Sequence, residues 1–199
     1  MRSVHGIHLV TGLLVAAVGW LGRDSASAQN PTFELQFEPR PPAFGPVGGA
    51  AEFAVRCQLV TRGLQPGAEG ARGWSFGVVA GAPCSIREAT TLNTVAADVS
   101  RGGLRQLGFE RTELTVGAGN EGVVSAVALS TSLDISLDPA GSPHDVLSLG
   151  VVGETPKAGD CQPCLLRFVG GLVGSGEPVS AVVTYQRQSF DPALGRLSV

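Results

Sequence analysis

The chain has 199 residues, with 14 lysines and arginines against 17 acidic side chains and a charged fraction of only 16%. A weakly acidic balance without a basic cluster gives no surface that follows phosphates, so nucleic acid is excluded as an expected partner. The length suffices for one self-sufficient core and is thin for two.

The N-terminal stretch carries the first signal. Arg2 supplies a positive start, Leu9 to Leu21 an uncharged apolar run, and Ala26-Ser27-Ala28 a small-residue site. Together these form an export signal, with removal of residues 1–28 expected before Gln29 and a single domain left over 29–199. Read as an anchor, the run would span only about 20 Å, against a bilayer core of about 30 Å. No cysteine follows the small residues to take a lipid, and no second apolar stretch of spanning length occurs after Gln29. The expectation is a product that is secreted or held at the cell surface or in the periplasm, with no membrane span after cleavage. One lysine, Lys157, among many arginines points to a GC-rich bacterial genome.

Glycine and proline then punctuate short runs with a two-residue period, the pattern of antiparallel sheet. Phe33, Leu35 and Phe37 alternate with Glu34, Gln36 and Glu38, which predicts a strand with one apolar face. Residues 39–49 hold four prolines and three glycines and read as a connection. In Glu52–Val60 the residues Phe53, Val55, Cys57 and Leu59 share a face. Further strands are predicted at Trp74–Ala80, Leu107–Val116, Gly122–Ser130, Val146–Val152, Cys164–Val169 and Val179–Gln186. Leu92, Val95, Ala96 and Val99 fall at helical spacing, but the β-branched Thr90, Thr91 and Thr94 and the pair Gly102-Gly103 leave two readings open, a helical turn or two or an irregular crossing. The total is an all-β, two-sheet antiparallel sandwich.

Four cysteines, Cys57, Cys84, Cys161 and Cys164, are expected to be oxidised in an exported protein. Cys161-Gln162-Pro163-Cys164 has redox spacing, yet it opens a strand-like run and not the helix that would lower a thiol pKa. A zinc set is short of ligands, because His144 is the last histidine beyond the signal and no second C-x-x-C is present. Structural disulfides follow, with Cys57–Cys84 and Cys161–Cys164 as the preferred pairing.

Catalytic sets are missing at this level. His144 is the single base a serine hydrolase could use, and its neighbour Asp145 would point to the opposite sheet face. It is assigned to a surface turn after Gly141-Ser142-Pro143. Gly174-Ser175-Gly176 does not complete a nucleophile elbow. Asp134, Asp138 and Asp145 share a loop-rich stretch but match no EF-hand, so a solvated surface is expected over a calcium site, and no cofactor is assigned.

Gly73-Trp74-Ser75-Phe76-Gly77-Val78 places Trp74, Phe76 and Val78 on one face, and this Trp-x-Phe core strand resembles one in cohesin-like sandwich modules, relatives in architecture of carbohydrate-binding modules. Cys164-Leu165-Leu166-Arg167-Phe168, Gly171-Leu172, Pro178-Val179 and Ser189-Phe190-Asp191-Pro192-Ala193-Leu194 are similar to the closing strands of such domains in exported bacterial proteins. The resemblance covers roughly residues 50–199. It implies a jelly-roll sandwich of about nine strands with a binding or scaffolding role. No dockerin repeat with calcium loops is present, so it implies no named partner. A carbohydrate platform would need exposed aromatics; Trp74 is expected in the core, which leaves Tyr185 as the candidate.

The expected function is therefore a secreted, non-catalytic binding module that engages an extracellular protein or polysaccharide in adhesion or scaffolding. The competing expectations are a polysaccharide-active hydrolase using paired carboxylates and a structural envelope protein.

Overall fold

A computed structural model describes residues 30–40, 50–97, 108–115, 122–131, 135–154 and 163–198. The export signal and Cys161 lie outside them. The strands in chain order are β1 (Thr32–Pro39), β2 (Ala50–Arg62), β3 (Gly73–Ala80), β4 (Cys84–Thr90), β5 (Phe109–Thr115), β6 (Gly122–Ala128), β7 (His144–Glu154), β8 (Leu165–Val169), β9 (Leu172–Val173), β10 (Pro178–Val179), β11 (Val182–Tyr185), β12 (Gln188–Phe190), β13 (Ala193–Leu194) and β14 (Arg196–Ser198). Among the described residues nine strands have four residues or more, β1–β8 and β11, against about nine expected, and β4 is not one of the predicted runs.

Two sheets face each other. Sheet A runs in the order β13-β1-β2-β7-β4 and sheet B in the order β12-β11-β3-β6-β5. The two halves of β3 serve different neighbours: Gly73–Ser75 pairs with β11, and Gly77–Ala80 with β8. Pairing is antiparallel throughout except between β1 and β13.

Alternation decides which side chains enter the space between the sheets. From sheet A come Leu35, Val55, Cys57, Leu59, Leu147 and Leu149; from sheet B come Trp74, Phe76, Val78, Val123, Leu166 and Phe168, all buried. Phe168 joins the two layers, stacked on Phe37 of β1 at 4.1 Å between ring centres and edge-on to Phe76 at 5.2 Å. Burying one such ring contributes about 2–3 kcal/mol. Trp74 lies in this core as expected. Its indole Nε1 and the Ser125 hydroxyl, both buried, find no hydrogen-bond partner among the described residues.

Differences from the sequence reading have local causes. The stretch predicted as one strand over 179–186 is β10 and β11, separated at Ser180–Ala181, and Ser180 turns its carbonyl to the Ser75 hydroxyl at 2.6 Å. Of the helical-period segment, residues 92–96 form turns and Ala97 is helical, with Thr94 N–H bonded to Thr91 O and Ala97 N–H to Thr94 O; the remainder, Val99 included, lies outside the described residues. The Thr94 hydroxyl also donates to Thr91 O and accepts from Ala96 N–H, the second being the bond an N-cap side chain makes at a helix start.

One flank of the sandwich is strapped. After β13 pairs with β1 in sheet A, the chain crosses at Gly195 and β14 pairs with β8 in sheet B. Gly195 N–H bonds to Leu35 O at 2.7 Å, and a Cβ at this glycine would stand 2.7 Å from the same oxygen. Only glycine permits the crossing.

Candidate functional site

The outward face of sheet A is where side chains with polar chemistry gather in the open. Strand register sets the pattern: Gln36 lies opposite Gln58, Glu38 opposite Arg56, and Gln58 opposite Asp145. Pairing slips between Cys57 and Gln58, and that irregularity brings Asp145 level with Gln58. Gln58 holds the centre. Its Nε2 donates to Asp145 Oδ1 at 2.9 Å and to Glu38 Oε2 at 3.2 Å, and its Oε1 accepts from Gln36 Nε2 at 3.0 Å. Arg40 lies 3.3 Å from Glu38 and 3.9 Å from Asp145, with Arg56 also 3.9 Å from Asp145. The result is a mutually ordered polar field that spans three strands.

Beside it lies an open groove of about 400 Å³. Ala54 and Gly150, directly opposite each other, form its floor, and Glu52, Arg87 and Glu88 rise around it. Glu88 passes over Gly150, where an added Cβ would stand 3.1 Å from the Glu88 Cβ. Glu52, Arg87 and Glu88 are exposed and make no ion pair or side-chain hydrogen bond among the described residues. A groove of this kind has small residues below and uncommitted charges of both signs above. It suits a polar partner laid along the sheet.

A second charged group sits on the opposite outer face. Arg111 of β5 grips Glu113 with two bonds, Nε to Oε1 at 2.8 Å and Nη2 to Oε2 at 2.9 Å. Ser175, in the turn between β9 and β10, donates its backbone N–H and its hydroxyl to the same carboxylate, each at 2.8 Å. Hydrogen bonding from Arg111, then from the Ser175 amide and hydroxyl, lowers the Glu113 pKa to about 2. Under the same turn Leu172 and Val179 pack on Val124 in a small apolar cluster outside the main core. The Gly174-Ser175-Gly176 segment is thus a fastening for the β9–β10 hairpin and not a nucleophile. Gly174 has no room for a side chain, since a Cβ would meet Val124 and both partners of the ion pair.

The expected cysteine pairing is corrected by the structure. Cys84 bonds to Cys164, with 5.6 Å between their Cα atoms, and Cys57 is a free buried thiol. The cause is position in the sheets. Cys57 alternates with Val55 and Leu59 on the inner face of β2, in mid-sheet opposite Leu147. Cys84 opens the edge strand β4, and Cys164 stands just before β8, whose start is joined to the β3–β4 turn by a Gly81 N–H to Leu165 O bond of 2.8 Å. The disulfide therefore links sheet A to sheet B. Burial, and next the charge of Asp145, push the Cys57 thiol well above its ordinary pKa. The Cys161 half of the expected C-x-x-C bridge lies outside the described residues.

The remaining candidates are accounted for individually. His144 is the first residue of β7, and its Nε2 lies 2.9 Å from Asp138 O. Asp138 caps the short 3₁₀ turn Pro139–Gly141 by accepting from Ala140 N–H. Asp145 is committed to Gln58, and Asp134 lies outside the described residues. Among the described residues no three histidines, cysteines or acids lie together as a metal set would. Tyr185, the expected aromatic platform, is instead buried, 9% exposed, between Phe33 and Phe190. Sequence reasoning missed Glu52, Arg87 and Glu88; the opposed pair of small residues Ala54 and Gly150, 96 positions apart, becomes visible only through register.

Among the described residues no helix is long and apolar enough to cross a membrane. No family model matches the chain, and no curated protein matches it. Among solved structures it is similar to the cohesin module from the family 33 glycoside hydrolase of Clostridium perfringens ATCC13124. That similarity has 16% identity and a TM-score of 0.44, covering 84% of this chain and 96% of that module. Cohesin is also the family that the sequence resembles; the sandwich assignment itself rests on the strand pairing above.

Proposed function

We propose that the chain is an exported, non-catalytic binding module of a bacterial envelope or secretome, and that it engages an extracellular protein or polysaccharide across the outward face of sheet A. The observation that carries this reading is the groove over Ala54 and Gly150, whose surrounding charges Glu52, Arg87 and Glu88 are uncommitted while the adjoining Gln58 field is already ordered. Preordered side chains lose little conformational entropy when a partner arrives. The disulfide between Cys84 and Cys164 supports export, because such bonds persist in oxidising compartments. Adhesion or scaffolding is the role such a surface would serve.

The hydrolase alternative has less support. A glycosidase sets its general acid in a water-poor apolar pocket, whereas Glu52 and Glu88 stand in water on a shallow floor. Glu113 is drawn the other way, held ionised by Arg111.

The test is capture from the organism's own surface fraction, together with a soluble polysaccharide panel, using the mature protein and the double variant Glu52→Lys/Arg87→Glu. Retention of one partner by the parent, weakened about tenfold or more in the variant, supports the reading. Turnover of a polymer that is abolished by replacing one carboxylate would establish the hydrolase instead.

A further inference from the structure

Natural sheets blunt their edges, and most borders of this sandwich follow that rule. β12, β13 and β14 are only three, two and three residues long, and β4 is interrupted by a register slip between Ile86 and Glu88, where Arg87 stands out. The border at β5 is different. β5 runs Phe109-Glu110-Arg111-Thr112-Glu113-Leu114-Thr115 without proline, lysine or bulge, in unbroken register with β6 alone. Among the described residues no other backbone hydrogen bond reaches Phe109–Leu114. Phe109 and Leu114 are 50% and 43% exposed. The neighbouring β4 packs close to β5 but, among the described residues, pairs with β7 alone and forms no ladder with it, and a cleft of about 350 Å³ lined by Ile86 and Leu114 lies there.

We infer that β5 is a self-association edge and that its occupant is β5 of a second copy of this chain, in antiparallel register about Thr112. The sequence is complementary to itself under that operation. Thr112 meets its own counterpart, Arg111 of each copy meets Glu113 of the other, and Glu110 of each meets Leu114 of the other. Threonine pairs and opposite charges are the favourable cross-strand combinations in antiparallel sheet. Paired positions here share parity, so the register is allowed whichever half of the β5 backbone groups points away from β6. Arg111 and Glu113 already clasp one another within each strand, so four charges of alternating sign would surround the two-fold axis. A shifted register loses this match and sets like charges together. The interface is isologous, and it continues sheet B from one copy into the next. It leaves both outward faces of sheet A accessible, so it does not depend on the function proposed for that face.

Sedimentation velocity of the mature protein from about 1 µM to about 1 mM tests the inference, with dimer expected to grow with concentration. Leu114 is exposed, so its replacement leaves the fold intact, as far-UV circular dichroism would verify. L114E faces Glu110 of the other copy twice, and L114K offers that residue a partner twice. From the worth of such cross-strand pairs, the dimer dissociation constant should rise about 2- to 30-fold in L114E and fall by a similar factor in L114K. A parent protein that remains monomeric over the whole range overturns the inference. So does a dimer that both substitutions leave unmoved or shift in the same direction.

Discussion

Reducing or removing the Cys84–Cys164 bond should destabilise the protein about as much as truncating a large core side chain. The bond spans a sequence separation of 80 residues and joins one sheet to the other. In the chain-entropy treatment a closed loop of that size corresponds to about 4.5 kcal/mol at 25 °C. For a chain of this length each kcal/mol moves the melting temperature by about 2–4 °C, so Cys84→Ser should lower it by about 9–18 °C. Cys164→Ser should give the same result, and combining the two should add little, because either one opens the same loop. Cys57→Ser provides the contrast. It introduces a hydroxyl into a fully buried apolar site and costs whatever that costs, but its loss should be the same with and without reductant. Thermal and urea denaturation of the three variants, each with and without reductant, form the assay. The reasoning is refuted if Cys84→Ser costs under about 1 kcal/mol, or if peptide mapping finds Cys57 joined to Cys84.

Two further outcomes follow from the outer face of sheet B. Glu113 has its pKa depressed from 4.5 to about 2, so its fastening stabilises fully above pH 4.5 and is lost as pH falls toward 2. Glu113→Gln should flatten the acid limb of the stability curve over that window, and a carboxyl carbon titration by NMR should show a midpoint near 2; a midpoint above 4 contradicts the Arg111–Ser175 clasp. Leu172 fills space left by Gly77 and Gly122, whose added Cβ atoms would stand 2.9 and 3.2 Å from its side chain. Leu172→Ala should cost about 2–3 kcal/mol and should expose the amides of the β9–β10 hairpin to hydrogen exchange ahead of the main core.

Much of the sandwich can be read from alternation, because a two-residue period with large apolar groups leaves few other ways to bury them. Phe33, Leu35, Val55, Leu59, Trp74, Phe76 and Val78 all occupy the interior that their spacing predicts. Both expected bridges fail, since Cys84 and Cys164 bond to each other. Cys57 does lie on the inner face as its spacing predicts, but Cys84 is in β4 of the same sheet with β7 between them, a separation that alternation does not reveal. β4 was invisible for a different reason. Ser85-Ile86-Arg87-Glu88-Ala89 has no clean alternation, since the slip at Arg87 breaks the period, and the strand exists through its pairing with β7. The short closing strands likewise depend on tertiary partners more than on their own residues. The candidate groove was illegible because its floor consists of what is absent, side chains at Ala54 and Gly150 too small to cover the sheet.

The strap over 193–198 has a bearing on how this molecule behaves in company. By engaging Glu34 and Leu35 of β1 with one half and Leu165–Arg167 of β8 with the other, it consumes main-chain donors and acceptors along part of one flank, and the steric demand at Gly195 locks it there. A sandwich open on both sides could enlist neighbour after neighbour into a growing filament. Here the strands that border that flank are only two and three residues long, so they offer an incoming neighbour little to extend.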